Sequence, residues 1–168
     1  MADEAQLALL LQGSDRWNQW RIECSHAVID LREADLSHAH LNGVNLAQAN
    51  LEKADLRYAD LRKANLSQAN LHIANLSQAN LAQVNLSRAN LQIANLDESN
   101  LRNAQLLKAD LSWAGLIKAN LLEANLQDAN LHGANLTEAN LYRAILVKAI
   151  LEGADLRGAT LPDGSVHY

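Results

Sequence analysis

The chain has 168 residues and a net charge of −5, and leucine, alanine and asparagine supply 33, 29 and 18 of its residues while phenylalanine is absent. Its single cysteine excludes a disulfide framework and a thiolate zinc site, and 49% hydrophobic with 20% charged residues argues against a disordered chain. A core with so few aromatic side chains must consist of many small, similar layers, so an internal repeat is expected.

The first residues of the chain predict two short helical segments. Residues 4–12 have the pattern of a short amphipathic helix that Gly13 would end, and the next turn carries Trp17 and Trp20. The apolar run at residues 7–11 is too short for a signal peptide and has no basic region before it. No apolar stretch of about 18 residues occurs that could span a membrane, so we expect a cytoplasmic protein.

A period of five residues governs the rest of the chain. From Leu31 to Leu161 every fifth residue is leucine, which places 27 of the 33 leucines in one register. The residue two positions before each leucine is alanine in 23 of 27 cases, and the residue directly before it is asparagine in 15 and aspartate in 6. Counted from alanine, the pentad has Asn or Asp second, leucine third, and two mostly polar residues fourth and fifth.

This period fits neither regular secondary structure. On an α-helix successive leucines would advance by about 500° and spread around the axis, and on a straight strand alternate leucines would face opposite sides. All leucines can point inward only if each pentad contains a bend of its own. Asn and Asp tolerate turn and left-handed conformations, so we expect the second position to form the bend and equal bends to close stacked coils.

Pentads such as those at residues 49–53 (ANLEK) and 54–58 (ADLRY) resemble the pentapeptide-repeat family, A(D/N)LXX, over about residues 24–163. The resemblance implies an all-β solenoid, a right-handed quadrilateral β-helix with four pentapeptides per coil and with Leu and Ala inside. The pentads would then make about seven coils, and the stack would be roughly 32 Å tall at the spacing of paired strands. Residues 17–21 also resemble a segment that precedes the repeats in some bacterial members.

Both ends of such a stack need covers, because unpaired strand edges invite further stacking. We expect residues 1–23 to form a short N-terminal α-helical cap, residues 24–163 the β-helix, and residues 164–168 a C-terminal tail. Pro162, followed by an Asp-Gly turn, would end the helix. Cys24 is expected to be a small buried residue of an imperfect first pentad.

The histidines do not combine into a metal site. His38 and His40 fall at outward positions without a third ligand in sequence reach, so we expect surface histidines. His72 and His132 share a side but lie three coils, about 14 Å, apart, which is too far for two ligands of one ion.

Catalytic arrangements are equally hard to find. Asp35 and Asp55 would stack on successive coils, where repulsion could raise a pKa and create an acid/base pair, but nearby arginines favour a solvated mixed-charge surface. The sequence has no phosphate-binding loop or nucleophile motif, and a coil filled with leucine leaves no concave pocket. We therefore expect a protein that is not an enzyme, with no catalytic residue, cofactor or metal.

A binding surface would have to lie at the outward positions. Ile73, Ile93 and Trp113 hold the fifth position of one side in consecutive coils and predict an exposed apolar stripe. A second apolar group lies toward the C-terminal coils, where two isoleucines replace the usual Asn or Asp. Its members are Leu107, Ile117, Leu122, Tyr142, Ile145, Val147 and Ile150. This placement favours contact with a protein partner or self-association over an ordinary scatter of surface hydrophobics.

These observations predict a protein-interaction or scaffold module, whose self-association would include a dimer through the C-terminal coils. The family implies an alternative, a DNA mimic that binds and inhibits DNA gyrase, because some members resemble B-form DNA in shape and charge. The 15 acidic and 12 basic residues in 30–163 argue against such mimicry, since positive charge interrupts the acidic surface. The net charge of −5 and the lack of a basic patch disfavour direct nucleic-acid binding, and no membrane contact is expected.

Overall fold

In the computed structural model, which describes all 168 residues, the chain from residue 30 onward winds into coils that pair with one another. Asp30 pairs in parallel with Asn50, and Asn50 with Asn70, and the same step of twenty residues continues to the bridge between Asn140 and Thr160. Each coil therefore contains four pentads. Every bridge is a single residue pair, so the only longer regular elements are two helices, α1 (Glu4–Leu10) and α2 (Ser14–Glu23).

The repeat leucines and alanines fill the axis of the coils. All third-position leucines from Leu31 to Leu141 are buried, as are nearly all of the first-position residues between them, in one continuous apolar core. This confirms that the third and first positions point inward. The leucines of the final pentads are only half-buried: Leu146, Leu151, Leu156 and Leu161.

The bend of each pentad lies after the leucine, so the expectation that Asn or Asp forms it is wrong. The fifth-position residue is left-handed in every pentad from Glu33, with φ of 60°, to Gly158, with φ of 70°. The second-position Asn or Asp lies in the middle of a flat side, where it forms the bridge to the next coil. Its side chain acts on the bend from a distance: Asn50 Oδ1 accepts the N–H of Glu52 at 3.1 Å, a hydrogen bond typical of Asx turns.

Asparagine also links successive coils through its side chain. Asn70 Nδ2 donates to Asn50 Oδ1, and Asn90 Nδ2 donates to Asn70 Oδ1, each at 3.1 Å. One amide can both donate to the coil before it and accept from the coil after it. An ionised aspartate at the same position can only accept, so its charge needs another partner.

Arginine at the fourth position supplies that partner. In four pentads the second-position carboxylate and the fourth-position guanidinium form an ion pair at 2.6 Å: Asp30–Arg32, Asp55–Arg57, Asp60–Arg62 and Asp155–Arg157. The arginine hydrogen bonds hold the pKa of Asp30 and that of Asp155 at about 2. Hydrogen bonds from Ser37 lower the pKa of Asp35, and those from Arg57 lower that of Asp55, so the acid/base pair considered for these two is contradicted.

The two helices take the place of a preceding coil at the N-terminal end. The carbonyl of Asp30 accepts the N–H of Asp3, and its own N–H donates to a glutamine side chain in α1. The carbonyl of Asn45 accepts the indole N–H of Trp17 at 2.8 Å, and its N–H donates to Asn18 Oδ1 at 2.8 Å. Neither helix has the length and apolarity needed to cross a membrane.

The C-terminal end is covered on one side only. Thr160 forms an antiparallel bridge with Val166, and the N–H and C=O groups of His167 bond to residues 158–159. The tail therefore folds back over one of the four sides of the last coil.

At the opposite end of the repeats Cys24 is exposed and follows the last turn of α2, so the expectation that it is buried in a first pentad is wrong.

The inward assignment of leucine can be tested at the centre of the stack. Leu91→Asp places a carboxylate in the core, and we expect it to destabilise the fold by more than about 4 kcal/mol. Gln83→Asp places the same group at an exposed left-handed position that aspartate tolerates, and we expect little change. Thermal unfolding followed by circular dichroism measures both, and equal midpoints would contradict the assignment.

The aspartate–arginine pairs predict a loss of stability in acid. Because the folded-state pKa of Asp155 is about 2, below the ordinary 3.8, its contribution is complete above pH 3.8 and is lost as the pH falls through about 2. Asp155→Asn keeps a hydrogen-bond acceptor but cannot titrate, so its urea midpoint should fall less than that of the wild type on acidification. Equal falls in both proteins would contradict the role of this pair.

Candidate interaction surface

The three residues of the predicted apolar stripe are brought together on one edge of the molecule. Ile73, Ile93 and Trp113 occupy the same corner in consecutive coils and are 41%, 53% and 62% exposed. We call these three residues the Ile–Trp stripe. The same corner continues with Gly133 and Gly153 in the next two coils, so the stripe ends on a stretch without side chains.

The backbone of the stripe is strained. Ile73 and Ile93 both have φ of 59°, in the left-handed region that β-branched residues disfavour. For residues with a Cβ this conformation costs roughly 1–2 kcal/mol, and glycine or asparagine would adopt it more readily. Because both side chains are exposed, burial in the core does not offset this cost.

Trp113 rests against the two residues that follow it one coil later. A Cβ built on Gly133 would lie 2.5 Å from a ring carbon of Trp113, so only glycine allows the indole to lie down on this corner. The ring of His132 meets the indole edge-on, with 5.2 Å between the ring centroids. These contacts hold the tryptophan in place although most of its surface faces solvent.

Carboxylates lie on both sides of Trp113. Asp110 is the second-position residue of the same pentad, and it accepts a hydrogen bond from Gln92 Nε2 at 2.8 Å. Asp97 comes from the preceding coil, and its Oδ1 accepts the N–H of Ile117 at 2.9 Å. It thereby replaces the side chain that Gly115 lacks, a role that sequence reasoning missed because the two residues are 18 positions apart.

The second apolar group does not form one patch. Its residues are distributed over all four sides of the coils, and only Leu122 and Tyr142 stack directly in successive coils. Its earlier members are half-buried: Leu107, Ile117 and Leu122. Its later members are exposed: Tyr142, Ile145, Val147 and Ile150. Only the later members lie at the C-terminal end of the stack.

The last coil presents an unpaired edge at this end. On the three sides that the tail does not cover, five main-chain N–H groups have no acceptor within the chain. They belong to Leu146, Lys148, Leu151, Gly153 and Leu156. Ile145 and Ile150 also lack the side-chain oxygen that accepts the fourth-position N–H in most other pentads. We call residues 144–157 the open end. It combines an edge of polar backbone groups with half-buried leucines and exposed isoleucines.

Histidines and cavities do not add a further site. His38 is exposed and stacks on Tyr58, with 4.7 Å between the ring centroids, and His72 lies 3.9 Å from Glu52. No three histidine, cysteine or acidic side chains are arranged to hold a metal ion. The surface cavities all lie beside the helices or the first two coils, and the largest, of about 420 Å³, lies against His40 and has no hydrophobic lining.

The repeat region matches a known protein family. The family model of pentapeptide repeats matches in eight copies, over residues 29–68, 69–106, 85–121, 94–133 and 124–161. No curated protein matches the chain.

Three solved structures illustrate the similarity. HetL, a pentapeptide repeat protein involved in heterocyst differentiation regulation from the cyanobacterium Nostoc sp. strain PCC 7120, is 38% identical over 84% of this chain and 78% of its own, with a TM-score of 0.41. Rfr23 from the cyanobacterium Cyanothece 51142 is 29% identical over 82% and 92%, with a TM-score of 0.32. Trypsin-treated QnrB1, a plasmid-mediated fluoroquinolone resistance protein, is 19% identical over 80% and 70%, with a TM-score of 0.63, and this likeness concerns the fold alone.

The family model covers residues 29–161, the same part of the chain that pairs at steps of twenty residues. The chain therefore belongs to the pentapeptide-repeat family, whose members are right-handed quadrilateral β-helices.

Proposed function

We propose that this protein is a non-enzymatic interaction module, a scaffold that presents surfaces to other proteins. Its open end is the main contact surface, and a second copy of the chain is the partner that fits it. The observation that carries this proposal is the difference between the two ends of the stack. One end has its edge groups bonded by the helices, and the other leaves a row of main-chain N–H groups without acceptors.

Residues 1–23 act as the N-terminal cap in this proposal. Their side chains occupy the hydrogen-bonding places that another coil would fill, and Leu10 and Trp17 are fully buried against the core. A capped end cannot accept another copy in the same way. Association is then limited to the open end, which favours a closed pair related by a two-fold axis over an endless chain.

Two isoleucines at the open end favour an interface over an accident of composition. Ile145 and Ile150 are 47% and 51% exposed, at positions where most pentads have asparagine or aspartate. An isoleucine side chain cannot accept the N–H of the residue two positions later. In the preceding pentad Asn140 Oδ1 accepts this bond from the N–H of Tyr142 at 3.0 Å. Isoleucine in place of Asn or Asp is not buried within the fold at these positions, whereas in a dimer both isoleucine side chains would leave water.

A gyrase-binding DNA mimic remains the alternative, and no observation on this chain favours it. Arginine accompanies aspartate in four ion pairs along the outer sides, which interrupts the continuous negative surface that an imitation of the phosphate backbone needs. The resemblance to QnrB1 at 19% identity supports the fold and not the partner.

The double substitution Ile145→Asn with Ile150→Asn tests the open end. We expect the wild-type chain to sediment as a dimer at micromolar concentration and the variant to sediment as a monomer. The melting temperature of the variant should equal or exceed that of the wild-type monomer, because the asparagine side chains can accept the N–H groups of Val147 and Glu152. Analytical ultracentrifugation and circular dichroism measure the two effects.

Ile117→Thr is the matched control, since it also replaces an outward isoleucine but lies away from the open end. It should leave the sedimentation of the wild type unchanged. A wild-type chain that remains monomeric, or a double variant that still dimerises, would contradict the proposal.

A further inference from the structure

We propose that the Ile–Trp stripe docks a cationic amphipathic helix of a partner protein. Apolar side chains of that helix would cover Ile73, Ile93 and Trp113, and its lysine or arginine residues would lie beside Asp97 and Asp110. This inference rests on the proposed function as an interaction module, but it concerns a surface on the side of the stack, separate from the open end.

The stripe places β-branched residues at backbone positions that disfavour them. Every fifth position in the stack is left-handed, and most of them carry glycine or a flexible polar side chain. Only Ile73 and Ile93 place a β-branched residue there, in adjacent coils of the same corner, and both are exposed. Strain without compensation inside the fold is typical of residues that serve a contact with another molecule.

Trp113 has the properties of an anchor for that contact. It is 62% exposed, yet its ring packs closely over Gly133 and meets the ring of His132 edge-on. A rigid aromatic side chain loses little freedom when a partner covers it, which is why tryptophan is enriched among residues that dominate binding. The isoleucines extend the same apolar surface over two more coils.

The length of the stripe suits a helix. Its three residues lie on consecutive coils, so at the spacing of paired strands they span about 10 Å. Two turns of an α-helix rise about 11 Å and present apolar residues one turn apart on one face. A helix lying along the stack can therefore place one apolar side chain near each member of the stripe.

The charges beside Trp113 select a cationic partner at that end of the stripe, whereas Lys53 holds the same corner one coil before Ile73. Asp110 and Asp97 lie on the two sides that meet at the stripe, and both accept hydrogen bonds from neutral groups without an ion-pair partner. Lys118, at the far edge of one side, is paired with Glu138 at 3.6 Å. Arg88 and Lys108 lie at the neighbouring corner, five residues before Ile93 and Trp113, with the side that carries Asp110 between the two corners. Cations of a bound helix would thus meet carboxylates at the Trp113 end of the stripe and should lie away from Lys53.

A synthetic peptide tests this inference directly. The probe is a labelled 14-residue helix of about two heptads, with leucine on one face and lysine and alanine elsewhere, and its counterpart has glutamate in place of lysine. We expect the lysine peptide to bind saturably, to shift the emission of Trp113 to the blue and to weaken as salt is raised. We expect the glutamate peptide not to bind. Fluorescence anisotropy of the label gives both affinities.

The variant Ile73→Asn with Ile93→Asn should lose at least tenfold in affinity for the lysine peptide while its melting temperature rises, because asparagine tolerates the left-handed backbone. The matched control, Gln68→Asn with Gln83→Asn, changes the same pentad position at other corners and should keep full affinity. A glutamate peptide that binds equally well, a stripe variant with unchanged affinity, or no binding of the lysine peptide would each overturn the inference.

Self-association is measured in the same samples. If the wild-type chain dimerises through the open end but the peptide does not bind, the proposed function stands and only the helix-docking inference fails. If the stripe variant changes the sedimentation of the chain, a second copy occupies the stripe, and the inference is overturned in favour of that occupant.

Discussion

The turn that follows each leucine is the constraint on which the rest of the structure depends. Its second residue must be left-handed, and it is left-handed in every pentad from Glu33 to Gly158 whatever its side chain. Equal turns at equal intervals place four pentads in each coil and fix the pairing step at twenty residues. The leucines and alanines are then forced inward together, and each outward residue receives a fixed column that it shares with residues twenty positions away.

A side-chain hydrogen bond supports this turn in most pentads. Where the second-position side chain cannot form it, the structure differs from one pentad to another. Asn or Asp before the leucine accepts the N–H at the start of the turn in most pentads; for example, Asn50 Oδ1 accepts the N–H of Glu52. At Gly115 a carboxylate of the coil before supplies the missing acceptor, so the turn is repaired. At Ile145 no replacement exists and the side chain is exposed, which agrees with the contact proposed for the open end.

Much of the fold could be predicted from the sequence because its period is unbroken. The buried leucines and alanines follow from that period alone, and the Ile–Trp stripe follows from setting residues out twenty at a time. The location of the bend could not be inferred, since asparagine tolerates left-handed backbone yet acts here through its side chain from a flat side. The role of Asp97 could not be inferred either, because it depends on the direction in which one side chain turns toward the next coil. The dispersal of Leu107, Ile117 and Leu122 over different sides follows from the same twenty-residue step that gives the stripe.

The fixed step of twenty residues also limits how such a chain can change its length. Insertion or deletion of one whole coil keeps every later residue in its column, so a surface such as the one formed by Ile73, Ile93 and Trp113 would be lengthened, shortened or moved intact. Insertion of a single pentad would keep the leucines inside but rotate everything after it by one side. The same mutation would then preserve stability and divide the stripe, which separates the evolution of the fold from the evolution of its surface.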